Sequence, residues 1–209
     1  MRGAAAGVVL AAGLSRRMGR NKLLVPVEGV PMVRRVAEAA LGGGLDPVVM
    51  VVRGGADDVR QALEGLPVTF AETERPEAGL SSSLRVGIAA LRAHGAANSR
   101  DTCPVVAAAM VLLGDMPWVE SSDVRRLVQA FDPEAGRAIC VPVHAGRRGN
   151  PVLWASPYFA DMMRLRGDVG ARSLLQRHAA YVHEVRVDSD GVLRDVDTPE
   201  AIARTRADR

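Results

Sequence analysis

Three stretches of the chain carry residues suited to phosphate chemistry. In the first, Gly13 and Gly19 bracket a short loop, and Lys22 follows it. The glycines let the backbone turn freely and approach a ligand closely, while Ser15, Arg17 and Lys22 supply hydroxyl and cationic donors; the combination suits a polyphosphate. A solvated turn rich in arginine (Arg16, Arg17, Arg20) is the plainer alternative. The spacing excludes two common phosphate loops: five residues separate the glycines, Lys22 does not directly follow Gly19, Leu23 stands where a Ser or Thr would hold magnesium, and no G-x-G-x-x-G is present.

The second stretch, LLGDMPWV, puts Asp115 where an apolar run ends and the chain must bend before Pro117. The third, RDVDTPEAI, offers Asp195 and Asp197 just before Thr198 and Pro199, which read as a helix N-cap and first-turn pair. Carboxylates from strand ends distant in sequence are hard oxygen ligands of the kind Mg²⁺ takes, the ion keeping waters and substrate phosphates in its other positions. The competing roles are structural: Asp115 could cap the next helix, although Ser121 or Ser122 is better placed to do so, and Asp195 and Asp197 could simply favour a helix dipole.

Further groups are less specific. Gly79 and Ser81 to Ser83 open a helical segment with hydroxyls and free N–H groups, more than capping alone requires. Arg147, Arg148 and Arg172, in GRRGNPVLW and RGDVGARSLL, have guanidinium forks that match phosphate oxygens, or are solvated loop residues. His94, His144, His178 and His183 show no metal spacing, and Cys103 and Cys140 read as buried thiols in a reducing, cytoplasmic compartment.

The elements that must position these groups alternate in type. Strand-length apolar runs (AGVVLAA, PVVMVVR, VTFAE, VVAAAMVLL, AICVPV, VHEVRV) are separated by segments of helical spacing, which predicts an α/β fold. Runs apolar on both faces, such as 105–113, suit strands covered by helices on each side in a mainly parallel sheet. VHEVRVD alternates instead, predicting an edge or antiparallel strand. Pro31 opens the first helix, and Gly42, Gly43 and Gly44 close it. With 209 residues and neither repeat nor long linker, the expectation is one domain over 1–209.

Composition narrows the function classes. A net charge of +3 and 3% aromatic residues argue against a nucleic-acid surface and base-stacking platforms. No apolar run reaches the roughly 18 residues a membrane span needs. The start of the chain has the charged and apolar features of a secretory signal, but it runs directly into the basic motif, whose residues make sense beside a retained strand.

LAAGLSRRMGRNK (positions 10–22) resembles, nearly position for position, the signature of the MobA-like nucleotidyltransferases. Along the chain, GLSSSL, LLGDMP, GRRGNP, GDVGAR and DVDTPE resemble further elements of that family. The resemblance implies a three-layer, doubly wound, Rossmann-like and mainly parallel mixed sheet, similar to the nucleotide-diphospho-sugar transferases. It implies that Leu10, Ala11, Ala12 and Gly13 lie against the nucleoside, with Ser15, Gly79 and Ser83 nearby, and that Arg17 and Lys22 act on the triphosphate as the catalytic cations. Asp115 and Asp197 correspond to its Mg²⁺ ligands. Arg147, Asn150, Asp168 and Arg172 correspond to acceptor-facing positions, although Asn150, which cannot titrate or carry positive charge, stands where relatives usually have histidine.

Ala12, where the guanylyltransferases usually have glycine, and Asn21, where they have aspartate, make the chain most similar to the molybdenum cofactor cytidylyltransferases. The implied reaction moves CMP from CTP to the phosphate of a molybdopterin-type cofactor, for delivery to a molybdenum hydroxylase apoenzyme. GTP as donor, a sugar phosphate or phospholactate as acceptor, and a non-catalytic cofactor carrier are the alternatives.

Overall fold

The computed structural model describes residues 5–13, 21–97, 106–167 and 170–196. Ser15, Arg17, Cys103, Asp168, Asp197 and the Thr198–Pro199 pair therefore lie outside the described residues.

Among the described residues, ten strands and six α-helices run in the order β1 (Ala5–Leu10), β2 (Pro26–Val27), β3 (Val30–Pro31), α1 (Met32–Gly42), β4 (Val48–Arg53), α2 (Asp57–Ala62), β5 (Thr69–Thr73), α3 (Leu80–Ala97), β6 (Ala108–Leu113), α4 (Ser121–Ala130), β7 (Ile139–His144), β8 (Arg147–Arg148), β9 (Val152–Ala155), α5 (Phe159–Arg164), α6 (Leu174–Arg177) and β10 (Val182–Arg186). The main sheet has the order β10-β7-β9-β6-β1-β4-β5, with β8 added to β7. β1 pairs in parallel with both β4 and β6, while β9 is antiparallel to both of its neighbours. The sheet is thus mixed but mostly parallel, as the alternation of elements predicts.

Burial on both faces explains the uninterrupted apolar runs. Along β1, Ala5 and Val9 meet α1, α2 and α4 through Val33, Val36, Val59, Val124 and Leu127. Ala6, Val8 and Leu10 meet the other layer, where Leu84, Ile88 and Leu91 of α3 pack with Phe159 and Met162 of α5. Two helical layers therefore sandwich one sheet.

Pro31 precedes α1, and Gly43 and Gly44 end it, Gly44 with φ of 88°. β10 occupies the sheet edge that the alternation of VHEVRVD suggests, but its pairing with β7 is parallel. The expectation for α4 needs correction. Glu120, rather than Ser121, is its N-cap: the Glu120 side chain accepts from the Asp123 backbone N–H, and the Asp123 carboxylate accepts from the Glu120 N–H at 3.1 Å. Burial pushes the Asp123 carboxyl above its ordinary pKa, and that backbone bond opposes the shift.

Four short strands escape the sequence reading, among them the two-residue β8. β9 (VLWA) is short and follows Pro151, and the β2–β3 hairpin has only two residues on each side. Helix α5 escapes as well. No helix among the described residues is long and apolar enough to cross a membrane.

Candidate active site

β1 sits at the centre of the sheet, with the chain crossing to β4 on one side and returning through β6 on the other. In open α/β sheets such a reversal leaves a crevice at the carboxyl ends of the strands. Here the ends of β1 and β6 are tied by the Gly114 N–H, which donates to the Leu10 carbonyl at 3.0 Å. A Cβ on Gly114 would lie 3.0 Å from that same oxygen, so glycine permits the close approach. Leu10, Ala11 and Ala12 are buried there, and Gly13 is exposed just beyond them.

After the loop, a short 3₁₀ turn (Lys22–Leu24) anchors the chain. Its Leu23 is buried in the core, and the Asn21 Oδ1 accepts from the Leu23 N–H at 3.2 Å. This turn presents the Lys22 side chain to the end of β6. Lys22 Nζ donates to Asp115 Oδ2 at 2.8 Å and to the Val196 carbonyl at 3.1 Å. The ion pair is mostly sheltered, with the two side chains 14% and 23% exposed, a setting in which a charge-assisted bond is stronger than at the surface.

Val196 closes the arrangement by donating its N–H to the Asp115 carbonyl at 2.9 Å. A small apolar cluster of Val25, Val27, Met32 and Val196, with Trp118 packed on it, lies beneath. The segments carrying Lys22, Asp115 and Val196 are thereby fastened together. Asp197, the second metal candidate, is the next residue along the chain but lies outside the described residues. Among the described residues there is no cluster of three or more His, Cys, Asp or Glu side chains that could hold a metal ion.

Beside this contact lies a cavity of about 370 Å³ lined by Leu113, Met116, Arg147, Arg148, Gly149, Asn150, Arg172, Val192, Leu193 and Asp195. Leu113 and Met116 flank Gly114 and Asp115, so the cavity wall and the Lys22 contact share one loop. Arg147, Asn150 and Arg172, separated in sequence, line the same space. Arg148 also lines it but is paired with Glu184 at 2.7 Å. The Asn150 N–H donates to the Val192 carbonyl at 2.9 Å, and a Cβ on Gly149 would fall 2.2 Å from that oxygen, which fixes the glycine beside it.

Gly79 and Ser83 stand at the N-terminal end of α3 and do not line the cavity. Gly79 has φ of 89°, a conformation that favours glycine. Ser81, Ser82 and Ser83 are all buried, and the Ser81 hydroxyl has no hydrogen-bond partner among the described residues. The histidines behave as ordinary structural residues where their contacts are known: His144 meets the Val187 carbonyl at 3.3 Å, and His178 meets Asp161 at 2.9 Å. Cys140 is buried, and burial pushes its thiol up to about 12.

Sequence reasoning missed several members of this neighbourhood. The Val196 carbonyl carries no side-chain signal. Asp195, one of the two carboxylates of the third stretch, lines the cavity. Glu184 and Asp58 reach the region only through pairing with Arg148 and Asn21, from segments remote in sequence.

A mostly parallel, doubly wound sheet with helices on both faces and a crevice at the β1–β6 switch is the Rossmann-like class of α/β domain. The chain belongs to the MobA-like NTP transferase family, whose domain it matches over residues 7–182. It is 31% identical to the purine catabolism protein PucB of Bacillus subtilis, over 93% of this chain and 92% of that protein. To a probable molybdenum cofactor guanylyltransferase of Natronomonas pharaonis it is 32% identical, over 96% of both chains. The structure of Rv0371C from Mycobacterium tuberculosis H37Rv in complex with manganese superposes with a TM-score of 0.72 at 28% identity, covering 97% of both chains.

Proposed function

We propose that this protein transfers CMP from CTP to the phosphate of a molybdopterin-type cofactor, releasing pyrophosphate. The observation that carries this reading is the 2.8 Å contact between Lys22 and Asp115 beside a cavity into which Arg147, Asn150 and Arg172 converge. One side of the crevice suits a nucleoside triphosphate tail, and the other suits a phosphorylated acceptor.

An acceptor phosphate oxygen attacks the α-phosphorus of CTP in line. A new P–O bond forms as the bond to the β-phosphate oxygen breaks, and that electron pair leaves with pyrophosphate. The nucleophile is already anionic at neutral pH, so the chain needs to position and neutralise rather than abstract a proton. Lys22, joined by Arg17, holds the triphosphate and opposes the charge growing on the leaving group. Leu10, Ala11, Ala12 and Gly13, with Ser15, Gly79 and Ser83, bound the nucleoside. Arg147, Asn150, Asp168 and Arg172 orient the acceptor, and the two-forked contacts of the arginines favour a phosphate monoester.

The donor chemistry fits a hard divalent cation: Asp115 offers carboxylate oxygens at a sheltered strand end, and Asp197 would be its second ligand. Mg²⁺ held there would supply charge neutralisation at the phosphates. Manganese in the related Rv0371C complex supports a divalent site of this kind.

A second reading has GTP as the donor, favoured by the relative that is named a probable molybdenum cofactor guanylyltransferase. The test is a pyrophosphate-release panel that crosses CTP, GTP and UTP with molybdenum cofactor, sugar phosphates and phospholactate. Release that requires CTP, a divalent cation and molybdenum cofactor together supports the first reading. Release with GTP alone moves the assignment to the second, and release only with a sugar phosphate or phospholactate overturns both. Under the first reading the protein hands its product to a molybdenum hydroxylase apoenzyme in the cytoplasm.

A further inference from the structure

We propose that Asn21 and Asp58 form a positioning pair that sets the direction of Lys22, and that the side chain at position 21 does not read the nucleotide base. The proposal rests on the functional reading above insofar as Lys22 is taken to contact the nucleotide.

Asn21 directly precedes Lys22, and the contacts of its side chain account for both of its polar atoms. Oδ1 accepts from the Leu23 N–H at 3.2 Å, capping the turn that contains Lys22. Nδ2 donates to Asp58 Oδ2 at 3.2 Å. The other oxygen of Asp58 accepts from the Val59 N–H at 2.8 Å, in the first turn of α2, so that carboxylate is itself oriented. Asn21 thus spans from the catalytic turn to a neighbouring helix, with its amide turned towards protein groups on both sides.

Lysine has a long, freely rotating stem, and a mobile base for that stem would spread its ammonium over many positions. Lys22 has the opposite situation. Leu23 is locked in the core on one side, the Val25 N–H donates to the Lys22 carbonyl at 3.0 Å, and Asn21 pins the other side to α2. Asparagine, with one acceptor and one donor on a short stem, satisfies both partners. Aspartate would keep the cap on Leu23 but bring a second carboxylate against Asp58, and alanine would lose both bonds.

The test measures equilibrium binding of CTP and of GTP, each with Mg²⁺, to the wild-type chain and to N21D, N21D/D58N, N21A and K22A. Amide exchange at Leu23 and urea unfolding are followed in parallel. N21D is expected to weaken the preferred nucleotide by about tenfold, as loss of a well-placed charged contact does. The CTP-to-GTP ratio should stay unchanged, and N21D/D58N should return binding to within about threefold of wild type. N21A should weaken binding and should speed exchange at Leu23.

A change in the CTP-to-GTP ratio in N21D, unaltered binding in N21D beside a defective K22A, or failure of the swapped pair to rescue while its urea midpoint stays normal would each overturn the proposal. Normal binding by K22A, or no binding of either nucleotide by the wild type, would instead strike the functional reading on which the proposal depends.

Discussion

Lys22 Nζ lies 2.8 Å from Asp115 Oδ2, although 93 residues separate the two in sequence. Each group offsets part of the cost of sheltering the other, and removing either one takes an ionic partner from the one that remains. If both serve the nucleotide phosphates, Lys22→Ala and Asp115→Asn should each lower turnover by about 10² or more. The double variant should be little worse than the poorer single one, because the two act as a unit. Pyrophosphate release by the four proteins checks this, and near-normal release from either single variant would remove the site.

The cavity gives a separate expectation. Arg147 and Arg172 reach it from the β8 strand and from the short 3₁₀ turn Ala171–Ser173, so they should act on the acceptor and leave the donor alone. Arg172→Ala should raise the acceptor KM by about tenfold or more, in the range of a lost charged hydrogen bond. CTP affinity, measured by equilibrium binding, should remain at the wild-type value. A loss of CTP affinity equal to the loss of acceptor affinity would place Arg172 with the nucleotide instead.

Much of this is legible in the residues alone. The apolar runs force a two-sided sheet, and the basic stretch after the first of them ends at Lys22, which meets Asp115 at the strand ends. The contacts that orient the groups are not legible, because they join segments that no local pattern connects: Asn21 with Asp58, Arg148 with Glu184, Lys22 with the Val196 carbonyl. Local chemistry also misleads where two neighbours compete. Ser121 and Ser122 are the better intrinsic caps, but Glu120 wins because Asp123 returns the bond and completes a reciprocal pair. β9 is hidden because four residues are too few to display a period.

The turn that delivers Arg147 to the cavity carries strain. Ala145 and Gly146 join β7 to β8 with φ of 47° and 77°, so an alanine occupies a left-handed position that favours glycine or asparagine. Ala145→Asn should therefore stabilise the protein by about 0.5–1 kcal/mol. A higher urea midpoint at constant m-value would show it, and a lower midpoint would mean that the turn gains something from the alanine methyl.

Cys140 provides a pH dependence with a definite sign. Its thiol is pushed up to about 12 from an ordinary 9.0, so the folded state binds a proton that the unfolded state releases between those values. The stabilisation is complete below pH 9 and is lost as pH rises towards 12, so unfolding free energy should fall over that window. Cys140→Ala should flatten this part of the pH profile relative to wild type. Iodoacetamide at about pH 8, where an ordinary thiol is already partly ionised, should modify Cys140 only after unfolding, as read by peptide mass spectrometry. Rapid modification of the native protein would contradict its burial.

Helix α3 rests on β1 at Gly87, where an added Cβ would lie 2.3 Å from Val8 Cγ1 and 3.0 Å from Val51 Cγ2. Two opposed effects follow for Gly87→Ala. Helix propensity improves by about 1 kcal/mol, while forcing a methyl into a packed interface costs about 1–3 kcal/mol. Both obstructing atoms belong to β-branched valines on central strands, which are stiff and cannot yield without moving the sheet, so overpacking should win. The net expectation is a loss of about 1 kcal/mol. Because the displaced β1 ends at Leu10, a weaker CTP affinity should accompany the lower urea midpoint; a Gly87→Ala variant as stable as wild type would mean that α3 can lift from the sheet at little cost.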